Sequence, residues 1–226
     1  MATFFDTLSS SYTTIVVASS DNGIPTLQFL DSTNSLTKLF DTLGAAFSVV
    51  SSDMHGNITK IRTRFDQNAA RSGTLQELVN AERADNSGKA ADALLWLKRG
   101  LEFTAMGLRR NLDNPSEELS TSFNKAYEGT LSRHHNFMIR GVFFGKLNTH
   151  GGVLATTQSF PTHPVLFFYY LMQLAMKACP SRVDFYAKLS RSDPAKMKEQ
   201  LVAWLSALET QVSIINQFLK ANGIEK

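Results

Sequence analysis

Apolar residues recur at spacings of three and four along most of this chain, and a period near 3.6 commits a segment to an amphipathic helix. Val50, Met54, Ile58, Ile61 and Phe65 step by four, four, three and four, which aligns them in one stripe. Leu27, Leu30, Leu36, Leu39, Phe40 and Leu43 set up a helix beginning after Pro25. The same period returns in Leu75 to Arg83, Ala90 to Arg110 and Leu119 to Phe144. Asp193-Pro194 places proline at a helix start, and Met197, Leu201, Trp204, Leu205, Leu208, Val212, Ile215 and Leu219 form a long stripe that ends before Gly223. No strand alternation of useful length interrupts these segments, so the expected fold is all-α with no sheet. Most connectors are short, such as Ser72-Gly73-Thr74 and Asp113-Asn114-Pro115. The exception is 145–164, which mixes Gly, Thr, Asn, His and Pro without a helical period and reads as a long inserted loop.

At 226 residues and 43% hydrophobic content, the chain can bury one sizeable core, and 1–226 reads as a single domain. The formal charge of +3 comes from 23 basic against 20 acidic side chains dispersed along the sequence. With no polybasic tract and no recognition helix, nucleic acid is not an expected partner. A single cysteine, Cys179, excludes an internal disulfide, and the opening MATFFDTLSSSY lacks a secretory signal, so a cytoplasmic protein is expected. The most apolar window, Val165 to Ala178, is shorter than the ~20 residues that span a bilayer and reads as a buried helix. No nucleophile elbow, phosphate-binding loop, HExxH or paired CxxC is present, so neither an enzyme nor a cofactor or metal site is expected.

Three places offer chemistry. Asp53, Asn57 and Lys60 lie at i, i+4 and i+7, so a carboxylate, an amide and an ammonium share one helix edge beside Met54 and Ile58. That row suits a ligand whose hydroxyls both donate and accept, and it equally describes a solvated face with an Asp–Lys pairing. Trp96 lies in a leucine-rich run, where it either stacks on a sugar ring or packs in the core; for Trp204 only core packing is indicated. His134 and His135 point about 100° apart on a helix, so they do not share one metal and at most one faces a given pocket.

Taken together, Asp53-x-x-x-Asn57-x-x-Lys60, the run Leu95-Trp96-Leu97-Lys98-Arg99-Gly100-Leu101, and Lys125-Ala126-Tyr127-Glu128 leading to His135 resemble the glycolipid transfer protein family. The motifs occur in the family's order, and the likeness runs from about residue 26 to 143 and again around 173–190.

The resemblance implies a two-layer helical sandwich of about eight helices that binds one glycosphingolipid, acts as a monomer, and carries it between membranes with reversible contact at their surfaces. By the same resemblance Asp53, Asn57 and Lys60 bond the first sugar, Trp96 stacks under it, and His135 and Asp53 take the ceramide amide. Phe40, Phe47, Phe103, Phe143 and Leu147 would line a hydrophobic tunnel, and Phe137 would dock on the bilayer. About 30 methylenes at ~0.8 kcal/mol each make two acyl chains cost on the order of 25 kcal/mol in water, which demands an apolar sleeve. A related branch carries ceramide phosphate and needs a basic cluster near Lys60. Here Trp96 and Gly100 favour a neutral sugar, with Lys98 and Arg99 expected to turn away from Trp96. A glycolipid-sensing regulator or adaptor using the same site is the other reading. The sequence departs from the family in a surplus within 144–172 and in a C-terminal Gly223-Ile224-Glu225-Lys226 without an aromatic residue.

Overall fold

The computed structural model describes residues 2–134 and 177–225. Among them the chain forms seven α-helices: α1 (Thr26–Leu43), α2 (Ser48–Gln67), α3 (Leu75–Ala84), α4 (Lys89–Asp113), α5 (Leu119–Gly129), α6 (Arg182–Ser190) and α7 (Pro194–Ala221). The one extended pairing among the described residues is an isolated bridge between Pro25 and Thr74. The expected all-α sandwich is therefore what these residues build. His135, Phe137, Phe143, Leu147, the 145–164 loop and most of the 165–178 segment lie outside the described residues.

Local chemistry explains where the helices begin and end. Thr74 and Glu77 form a reciprocal capping box at the start of α3. The Asp193 side chain accepts from the Lys196 N–H at 3.0 Å, and Pro194 fills the first helical position of α7. At the start of α4 the Glu82 carboxylate, reaching over from α3, accepts from the N–H groups of Ala90 and Ala91 at 2.8–3.0 Å. Those donors have no partner within their own helix, so a buried carboxylate answers both the unmet bonds and the positive end of the helix dipole.

Two expectations need correction. The period from Leu119 does not run as one helix to Phe144: α5 stops at Gly129, and a 3-10 turn covers Leu131–His134. Thr130 ends the helix by sending both its N–H (3.0 Å) and its hydroxyl (2.7 Å) back to the Ala126 carbonyl, just after a weak helix former. Leu27 also leaves the α1 stripe and is exposed.

α4 is the hub, packing against α2, α3, α5 and α7, while α1 rests on α2 and α6. Their shared core contains a run of aromatic rings: Phe40 stacks on Phe47 at 6.1 Å, Phe47 meets Phe123 at 6.4 Å, and Phe123 meets Phe103 at 5.4 Å. Residues before α1 strap the outside of the bundle. Tyr12 sets its ring 5.5 Å from the buried Trp204, and Asp6 bonds Lys196 and Gln200 on α7, both at 2.8 Å. No helix among the described residues is long and apolar enough to cross a membrane.

Candidate functional site

On α2 the buried half of the helix supplies Val50, Met54, Ile58 and Ile61 to the core, and the polar row runs along the edge of that stripe. Asn57 is buried there, and its amide donates to both the backbone carbonyl (3.1 Å) and the Oδ2 (3.2 Å) of Asp53. Asp53 and Lys60 face outward. Desolvation raises the Asp53 carboxyl above its ordinary range, while the charge of Lys60 works in the opposite direction. Expected at helical spacing, the three residues are thus joined: Asn57 fixes Asp53, and Lys60 acts on it electrostatically.

Trp96 stands on α4, the helix packed against α2, and is 42% exposed, a large value for so big an aromatic side chain. Core packing is therefore excluded for Trp96, whereas Trp204 is buried as expected. The guanidinium of Arg99 lies 4.8 Å from the Trp96 ring centroid, a cation–π contact. This overturns the expectation that Arg99 turns away. Positions three apart on a helix are separated by only about 60° and are surface neighbours. Lys98 does turn away, into the protein, and is fully buried.

A buried ammonium requires acceptors, and Lys98 has three. Its Nζ donates to Glu225 Oε2 at 2.6 Å, and to Glu102 Oε2 and Asn216 Oδ1 at 3.4 Å. Glu225 Oε1 also lies 3.6 Å from Arg99 Nε. Burial alone would raise the Glu225 carboxyl, but bonding to Lys98 and the charge of Arg99 outweigh it, and the net shift is downward. Arg133 adds a third cation, 3.9 Å from Glu102. Its Nε donates to His134 Nε2 at 3.1 Å. Burial, Arg99 and Arg133 together push His134 down to about 4, so the imidazole is neutral at physiological pH.

Glu225, Glu102 and Arg133 were not among the residues singled out in the sequence. One signal points to the carboxylates. Lys98 shares the α4 stripe with Leu94, Leu101 and Ala105, all buried, and a lysine in an apolar stripe calls for a carboxylate from elsewhere in the fold. Of the residues expected to line a tunnel, Phe40, Phe47 and Phe103 are each 1% exposed and are linked through the ring contacts above. His135, Phe137, Phe143 and Leu147 fall beyond the described residues. Among those described, no cluster of His, Cys, Asp and Glu could hold a metal.

The sequence and fold also resemble those of known proteins. A family model described as glycolipid transfer protein matches residues 24–149. The chain is 45% identical over 218 residues to a glycolipid transfer protein of Aureobasidium melanogenum, covering 96% of this chain and 92% of that one. It is 32% identical over 236 residues to human pleckstrin homology domain-containing family A member 8, covering 99% of this chain but only 40% of that longer protein. The crystal structure of HET-C2, a fungal glycolipid transfer protein, superposes with a TM-score of 0.80 at 37% identity, covering 96% of this chain and 97% of that one.

Proposed function

Because this chain belongs to the glycolipid transfer protein family, we propose that it takes up one glycosphingolipid and carries it between membranes without chemical change. The observation that carries this reading is the exposed Trp96 ring on α4, beside a helix whose edge bears Asp53, Asn57 and Lys60. A sugar presents an apolar face of C–H groups and a rim of hydroxyls; an indole ring answers the first, and a carboxylate, amide and ammonium answer the second. Asp53, held by Asn57, accepts from the first sugar and from the ceramide amide N–H, Lys60 donates to the sugar, and His135 donates to the amide carbonyl. An amide bonded on both sides can enter an otherwise apolar mouth without an unmet partner.

The ceramide chains go to the aromatic core. Phe40, Phe47 and Phe103, with Phe143 and Leu147, form the sleeve, and the rings part to admit the chains. Phe137 docks the mouth on the bilayer. The protein works as a monomer in the cytoplasm and touches membranes transiently.

Transfer of fluorescent galactosyl ceramide between vesicles tests the site. Asp53→Val removes an ionised acceptor and Trp96→Ala removes the stacking face. Each is expected to slow transfer at least about tenfold, the equivalent of one charge-assisted hydrogen bond or one good ring contact, with an unchanged helical circular dichroism spectrum. Equal transfer by the wild type and both variants would overturn the site. For docking, Phe137→Ala is expected to reduce partitioning to vesicles in a flotation assay while binding of short-chain glycolipid in solution persists.

A further inference from the structure

Glu225 reaches the headgroup region through a turn that closes α7. Gly223 takes a left-handed φ of 67°, its N–H bonds the Lys220 carbonyl at 3.0 Å, and the Ile224 N–H bonds the Leu219 carbonyl at 2.9 Å. This paired pattern reverses the chain at the helix end and seats Ile224 against the core. The next side chain, Glu225, is thereby laid onto α4 and is 6% exposed. One carboxylate oxygen is bonded to Lys98 at 2.6 Å. The other, Oε1, has no hydrogen-bond partner and sits 3.6 Å from Arg99 Nε, which also lacks one. Arg99 in turn covers the Trp96 ring.

The ion network behind Trp96, which Arg99 joins to the ring, therefore sets three cations, Lys98, Arg99 and Arg133, against two carboxylates, Glu225 and Glu102. Glu225 is the carboxylate nearest both Lys98 and Arg99. Without its charge, three cations in that network would face one carboxylate, and the guanidinium on the ring would lose its nearest counter-charge. Resting on the reading of Trp96 as the sugar platform, we propose that Glu225 is a specificity-determining residue. It cancels the charge of the Lys98–Arg99 pair behind the platform, so that the site selects uncharged sugars over sulfated ones.

The test is the ratio of sulfated to plain galactosyl ceramide transferred between zwitterionic vesicles at low salt. Glu225→Gln is expected to raise that ratio about fivefold, the scale of one unit charge acting through partly hydrated protein, and added salt should shrink the gain. Arg99→Met is expected to lower it. Glu209→Gln, which removes the same charge from the Arg109 ion pair on the α4–α7 face, should leave it unchanged. A merely structural role would depress both lipids together and would not move the ratio in opposite directions for Glu225 and Arg99. If wild-type protein transfers plain galactosyl ceramide but the ratio stays fixed, or shifts the same way in both variants, this inference alone is overturned. If the wild type transfers neither lipid, the carrier reading falls and takes the inference with it. Should Glu225→Gln leave Lys98 too poorly paired to fold, Arg99→Met decides: a ratio that does not fall overturns the proposal.

Discussion

His134 shows how far a single residue can be moved from its ordinary behaviour by burial and by charges, one adjacent in sequence and one on a different helix. Its folded-state value near 4 lies below the ordinary 6.5, through burial and then the charges of Arg99 and Arg133, so the unfolded chain holds the proton more readily. Acidification from about 6.5 toward 4 therefore draws the equilibrium toward the unfolded state. His134→Gln removes that titration, and its thermal midpoint is expected to fall less than the wild type's across this window, as scanning calorimetry at several pH values would measure. The tryptophans are more legible. Trp204 continues the stripe of Leu201, Leu205 and Leu208 and could be assigned to the core from spacing. Trp96 follows Asp92 by four and precedes Arg99 by three on the outer face of α4, so its exposure was also written in the sequence, obscured by leucines on both sides. The nearest partner of Lys98, Glu225, by contrast, lies 127 positions away, and spacing carries no information at that range.

At the level of elements, apolar period and caps located α1, α3, α4 and α7 to within a few residues, because those signals act inside one helix. The end of α5 was missed because Thr130 competes for a carbonyl that an apolar stripe does not register. Close approach between helices was equally hidden. Gly107 sits in the middle of α4, and a Cβ there would come 2.6 Å from the Phe123 ring of α5. Alanine is intrinsically the better helix former by about 1 kcal/mol, but an overpacked contact costs about 1–3 kcal/mol. Gly107→Ala is thus expected to lower the urea midpoint. Gly100→Ala, with no described atom within 4 Å of its Cβ, should raise it slightly. Glu82 offers a separate test of helix-to-helix capping. Glu82→Ala leaves two buried N–H groups of α4 without their acceptor and is expected to cost about 1–3 kcal/mol in the same assay.

Across the whole molecule, the helices could be read one at a time but their arrangement could not, since it depends on contacts between distant parts of the chain. The strap before α1 is the clearest case. Tyr12, Asp6 and Thr3 meet Trp204, Lys196 and Gln200, some 190 residues away, and nothing periodic marks them. Deleting residues 2–17 is expected to lower the thermal midpoint by several degrees and to shift Trp204 emission to the red as the ring loses its cover. The turn at Gly223 carries a different lesson. That residue has no functional group, yet its left-handed backbone decides where a carboxylate lands on another helix. On the proposal above, Gly223→Ala would leave the net charge of the chain untouched while unseating that carboxylate, and in a screen for altered cargo it would score as though a charge had been deleted. If Glu225 sets lipid preference as proposed, that preference can drift through backbone handedness alone, at a position without a side chain.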